Sequence, residues 1–123
     1  MQYAILCYND EATIGSWSAE EENACMERLE AVQVGLREAG RLGPVARLMP
    51  TSTATTLRKD QDPPLVIDGP FAETKEQLLG FYIVDCTSKE EALGVAKDLG
   101  RANPGGAFEI RPLLSLNPGE ITT

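Results

Sequence analysis

Leu78-Leu79-Gly80-Phe81-Tyr82-Ile83-Val84-Asp85-Cys86 is the most strand-like stretch of the chain, and Ser88-Lys89-Glu90-Glu91 follows it almost at once. Apolar residues fill odd and even positions of the first segment alike, so both faces of a strand here avoid water. Ser88 with Glu91 has the spacing of a capping box, in which each side chain satisfies an orphan amide at a helix start. Ala92, Val95, Ala96 and Leu99 then recur at three- and four-residue steps, and Gly100 closes the pattern. The spacing predicts a strand over 78–86 and a helix over 89–99.

The same unit occurs earlier in the chain. Residues 3–8, an aromatic-flanked apolar run ended by Asn9-Asp10, read as a strand buried on both faces. A loop with Gly15 and Trp17 leads to a second capping box, Ser18 with Glu21. Glu20, Glu21 and Glu22 fill a first turn where the helix dipole favours negative charge. Cys25, Leu29, Val32, Leu36 and Ala39 form one stripe and Gly40 follows, which predicts an amphipathic helix over 19–39. Seven acids and one arginine lie between residues 10 and 30, giving a solvated acidic face or an acidic recognition surface.

Between the two units, Val45–Met49 and the Thr-rich Thr53–Arg58 are separated by Pro50 and read as a hairpin. A loop at 59–64 precedes Leu65-Val66-Ile67, read as a short buried strand halted by Asp68-Gly69-Pro70. Thr74–Gln77 makes at most one helical turn. Asn103-Pro104-Gly105-Gly106 is a turn, and Phe108–Leu114 is a last strand with Phe108 and Ile110 on one face. Residues 1–116 read as a single domain and 117–123 as a polar, frayed tail.

This order predicts an α+β fold: a ferredoxin-like β-α-β-β-α-β plan with an antiparallel sheet and both helices on one face. A sheet open to water on one side should alternate apolar with polar residues, yet 3–8 and 78–86 do not. A second copy of the chain is the natural cover for the other face. The expectation is an obligate homodimer with sheets face to face, of the dimeric α+β barrel type.

Composition narrows the chemistry. The 123 residues carry 19 acids against 11 bases, a net charge of −8, which argues against nucleic acid and against an anionic membrane surface. Histidine is absent, so neither Ser-His-Asp nor Cys-His machinery nor an imidazole metal site can be built. Cys7, Cys25 and Cys86 are odd in number, widely spaced and set in apolar surroundings, as expected of buried thiols in a reducing compartment. No metal or cofactor motif is present. No run approaches a membrane span, and the N-terminus lacks a basic region of the secretory kind, so the expected location is cytoplasmic.

The segment Asp68-Gly69-Pro70-Phe71-Ala72-Glu73-Thr74-Lys75-Glu76, followed by Gln77 to Asp85, resembles the signature of the DGPF proteins, a branch of the YCII-related family. Met1–Asp10, Ser52–Arg58 and Phe108–Pro112 are similar to the family's first, second-hairpin and closing strands. The resemblance covers nearly the whole chain and implies a ferredoxin-like dimeric α+β barrel. It also implies that no reaction is firmly established for this branch. The broader family is suspected of enzymatic activity through a His and an Asp, some relatives act on small aromatic or chlorinated rings, and some DGPF domains are fused to sigma-factor domains. A chain without histidine cannot form the His–Asp pair; Asp68 is the half that can survive.

Asp68 is thus the candidate catalytic acid/base, which requires burial to raise its pKa; its alternative role is to accept backbone N–H bonds and shape the Gly69-Pro70 turn. Phe71 reads as a core or dimer anchor. Glu73, Lys75 and Glu76 form a solvated rim, and Thr74 is placed to cap a helical turn. Arg47 and Arg111 interrupt apolar strand patterns: each can clamp a ligand carboxylate or pair with Glu109 or Asp85 across strands. Tyr82 and Tyr8 offer hydroxyls to a ligand or to a backbone carbonyl. Three functions follow: a homodimeric small-molecule-binding or accessory module, a cofactor-free enzyme moving a proton or eliminating a group on a small organic acid, or an interaction module in transcription regulation.

Overall fold

A computed structural model describes residues 1–121. The strands are β1 (Gln2–Asn9), β2 (Leu42–Arg47), β3 (Thr55–Arg58), β4 (Leu65–Asp68), β5 (Gln77–Asp85) and β6 (Ala107–Pro112). The helices are α1 (Glu11–Gly15), α2 (Ala19–Glu38) and α3 (Lys89–Ala102). Four strands form one antiparallel sheet in the order β2-β5-β1-β6, and β3 with β4 forms a separate two-stranded sheet. With that pair set aside, β1-α2-β2 and β5-α3-β6 interlock as two split units, the α+β ferredoxin-like plan. The last two residues of the expected tail lie outside the described residues.

The helix starts follow their caps. Ser18 accepts from the Glu21 amide at 3.1 Å while the Glu21 carboxylate accepts from the Ser18 amide at 3.0 Å. Ser88 accepts from the Glu91 amide at 3.2 Å. Gly40, with φ of 69°, takes the left-handed position just after α2 that other residues resist. The α3 helix does not stop at Gly100 but continues to Ala102, which is buried. It ends where Asn103 precedes Pro104, a pairing that disfavours helical backbone. An added short helix, α1, is capped by Asp10, whose side chain accepts from the Ala12 amide.

Both long helices pack on one sheet face. Tyr3, Ile5, Tyr82 and Val84 from the strands meet Cys25 and Leu29 of α2 and Val95 and Leu99 of α3, with Phe108 and Ile110 packed against them. Fully burying side chains of this size contributes roughly 1.5–3 kcal/mol each. The opposite face presents Ala4, Leu6, Phe81 and Ile83 in register, with Glu109 and Arg111 of β6 beside Leu6 and Ala4. No helix lies on it.

The middle of the chain departs from the expected hairpin. β2 starts at Leu42 and pairs with β5, not with β3. Pro50 and the tight turn at Thr51–Thr53 swing the chain off the sheet, and Glu11 holds that turn through the Thr51 amide at 2.9 Å and hydroxyl at 2.7 Å. β3 then pairs with β4, and this two-stranded arm packs extensively on no other element. Leu65, Val66 and Ile67 are therefore exposed rather than buried. Thr74 does not cap a helical turn: its hydroxyl donates to the Glu76 carbonyl ahead of β5.

β1 and β5 lose register between Cys7 and Tyr8, since Cys7 faces Gly80 and Tyr8 faces Leu78. Leu79 is the additional residue, a β-bulge. Leu78 consequently does not share the Tyr82 face, as simple alternation would have it: Leu79 lines a cleft on the helix side and Leu78 a hollow on the other.

Candidate functional site

The bulge opens one wall of a cleft of about 720 Å³ between α1, α2, β2 and β5. Its floor is β5 at Gly80 and Tyr82, its roof is α2 at Met26 and Leu29, and Trp17, Met49 and Phe108 enclose it further. The lining is mainly apolar with a few convergent polar groups, the usual character of a small-molecule site.

Arg47 and Tyr82, both ligand candidates on sequence grounds, meet here. Arg47 ends β2 and is exposed; its guanidinium donates to Met26 Sδ and to Glu22 Oε1, each at 3.4 Å. It therefore joins the helix, not Glu109 or Asp85. Tyr82 is buried, and burial, reinforced by the neighbouring Cys7 and Cys25 thiols, pushes its ionisation up to about 12. The hydroxyl stays protonated at neutral pH and, among the described residues, makes no hydrogen bond to protein.

Cys7 and Asn103 line the same cleft and were not singled out in the sequence. Burial pushes the Cys7 thiol up to about 12, so it is neutral and a poor nucleophile at neutral pH. It is half-buried, unlike Cys25 and Cys86. The Asn103 Oδ1 atom is buried without a hydrogen-bond partner among the described residues. Such an atom carries a desolvation cost of about 1–3 kcal/mol until something donates to it. Asn103 reads as a turn residue in sequence, and nothing local signals its orphaned oxygen. Trp17 gave a weak signal, as the chain's one tryptophan just ahead of a helix cap.

The other sequence candidates lie elsewhere. Tyr8 donates to Glu109 at 3.4 Å and lines a second hollow of about 810 Å³ on the other face, with Gly69, Pro70, Phe71, Glu73 and Thr74. Phe71 is 74% exposed and its ring sits 5.3 Å from the Arg58 guanidinium carbon, a cation–π contact rather than a core position. Lys75 is exposed and lines neither space. Asp68 ends β4, exposed and opposite Thr55, and lines neither space. Among the described residues its carboxylate accepts no hydrogen bond, so the turn is held instead by the Gly69 amide donating to Ala54 and by Thr56 donating to Gly69. Arg111 is exposed on the sheet's open face, with no ion pair among the described residues. Asp85 is occupied by the N-terminal amine at 3.3 Å.

No cluster of three or more potential metal-binding side chains occurs among the described residues, and no helix there is long and apolar enough to cross a membrane.

A family model described as the YCII-related domain matches residues 1–117. An uncharacterised protein of Rhizobium meliloti (strain 1021) is 57% identical over 122 residues, covering 98% of each chain.

Proposed function

Because the chain belongs to the YCII-related domain family, we propose that it is a homodimeric, cytoplasmic small-molecule-binding or accessory module of the DGPF branch, built on residues 1–116. The observation that carries this reading is the cleft that brings Arg47 together with Tyr82, whose hydroxyl bonds no protein group among the described residues, beneath an apolar roof. A ligand that accepts from the Tyr82 hydroxyl and from the exposed Arg47 guanidinium engages the polar groups of an otherwise mainly apolar cleft. The raised ionisations of Cys7 and Tyr82 keep both neutral, which suits recognition and not nucleophilic or general-base chemistry at neutral pH. Asp68 stands outside the cleft, so this function does not depend on it. The homodimer is supported by the helix-free sheet face and by the exposed apolar arm.

The test is a ligand-observed NMR screen of small neutral, anionic and cationic organic molecules against wild type, Tyr82→Phe and Arg47→Ala. Hits that bind wild type and lose about tenfold or more in affinity in both variants support the reading. Hits that bind all three proteins equally place the ligand elsewhere and overturn it.

A further inference from the structure

Four charged side chains line the cleft: Glu11, Glu22, Glu30 and Arg47. Three are acids, in a chain of net charge −8. Both carboxylate oxygens of Glu11 are engaged by Thr51, at 2.9 and 2.7 Å. Glu30 pairs with Arg37 at 3.5 Å. Glu22 pairs with Arg47 at 3.4 Å, and their side chains are 52% and 64% exposed, which places this pair at the mouth. The floor at Gly80 and Tyr82 carries no charge. The Tyr82 hydroxyl is unpartnered there but not sealed: among the described residues, Asn103 Oδ1 alone is both closed off and without a hydrogen bond.

We infer that Glu22, by holding Arg47, makes the cleft select uncharged ligands over organic acids: molecules with an apolar body and a carbonyl-type oxygen that accepts from the Tyr82 hydroxyl or from Arg47. The inference rests on the small-molecule reading above and adds the charge state of the ligand. A guanidinium has five N–H donors, and Glu22 and Met26 each take one on different nitrogens. The remaining donors can serve a neutral oxygen without disturbing the pair. A carboxylate fares worse. To reach Arg47 it must displace Glu22, leaving that acid unpaired beside a second anion, or share the guanidinium and meet Glu22 as a like charge. At Tyr82 it gains one hydrogen bond but gives up its hydration in a mainly apolar space. Glu11 and Glu30 add repulsion of the same sign. Discrimination thus comes from the unpaired charge that the wrong ligand creates.

The experiment compares two matched pairs with the same apolar bodies, benzylacetone with hydrocinnamate and octanone with heptanoate. Dissociation constants are read by ligand-observed NMR titration at low ionic strength, because exposed charges are screened by salt. In wild type each ketone is expected to bind at least about tenfold more tightly than its carboxylate. Glu22→Gln should tighten the carboxylates about fivefold and leave the ketones within about twofold, and adding Arg47→Ala should abolish that gain. Carboxylates that bind wild type as tightly as the ketones overturn the inference and leave the small-molecule reading standing. So does a ketone-to-carboxylate ratio that Glu22→Gln leaves unchanged, or a failure of both ketones to bind at millimolar concentration. Ketones that bind wild type, Tyr82→Phe and Arg47→Ala equally lie outside the cleft, and overturn the inference and the reading together.

Discussion

The carbonyl oxygen of Ala46 on β2 occupies the space that a Cβ on Gly80 of β5 would need. The contact is backbone against side chain, at the Arg47 end of the β2–β5 pairing and on the floor of the cleft. Gly80→Ala must therefore push the edge strand away, and we expect a loss of about 3 kcal/mol, within the range of backbone and packing defects. Gly94 on α3 is the control, because a Cβ there meets nothing within 4 Å. Gly94→Ala should gain about 0.5–1 kcal/mol through helix propensity. Urea unfolding of both variants checks the pair; equal effects would contradict the geometry.

Tyr82→Phe separates stability from recognition. Its hydroxyl has no protein partner among the described residues, so removing it leaves nothing unsatisfied. Stability should stay within about 1 kcal/mol of wild type. A destabilisation well beyond that would reveal a structural role for the hydroxyl, and would weaken the case that it waits for a ligand.

The elements that local chemistry controls were legible in the sequence. Ser18 and Glu21 form both bonds of the expected capping box, and Gly40 ends α2 as read. Pairing partners were not legible, because a strand's composition reports how buried it is and not what it lies beside. Thr55–Arg58 looks like a partner for the nearby residues of β2, but β2 bonds to β5, some 35 residues away. The bulge at Leu79 was equally hidden, since unbroken apolar sequence looks the same with or without an added residue. The cleft inherits both gaps. Arg47 and Tyr82 stand out in the sequence because a charge or a hydroxyl sits among apolar neighbours, while no local pattern encodes the buried oxygen of Asn103.

Acid should loosen the start of α3. Hydrogen bonding from Thr87, with Arg41 nearby, lowers the Glu91 carboxyl below its ordinary 4.5. Arg41 also donates to Glu91, tying the start of β2 to α3. A depressed folded-state pKa contributes stability above the unfolded value and loses it as pH falls through the folded one. The melting temperature of wild type should therefore exceed that of Glu91→Gln at pH 7, and the gap should close progressively below pH 4.5. A gap independent of pH would assign the effect to packing alone.

Alkali should act through Cys7 with the opposite sign. Burial raises its thiol from 9.0 to about 12. Between those values the unfolded chain sheds the proton while the folded chain keeps it, so stability is fully present below pH 9 and falls as pH rises toward 12. Wild type should lose more stability between pH 8 and 11 than Cys7→Ala does. The same cause governs reactivity, because only the thiolate is nucleophilic. Iodoacetamide should label Cys7 in a Cys25→Ala/Cys86→Ala background far more slowly in the folded protein than in urea. Its rate should rise about tenfold per pH unit through pH 11, with no plateau near 9. A plateau near pH 9 would mean that the thiol faces water. Cys7 would then no longer belong to an apolar cleft wall, and the view of that cleft as a neutral recognition site would lose one of its two supports.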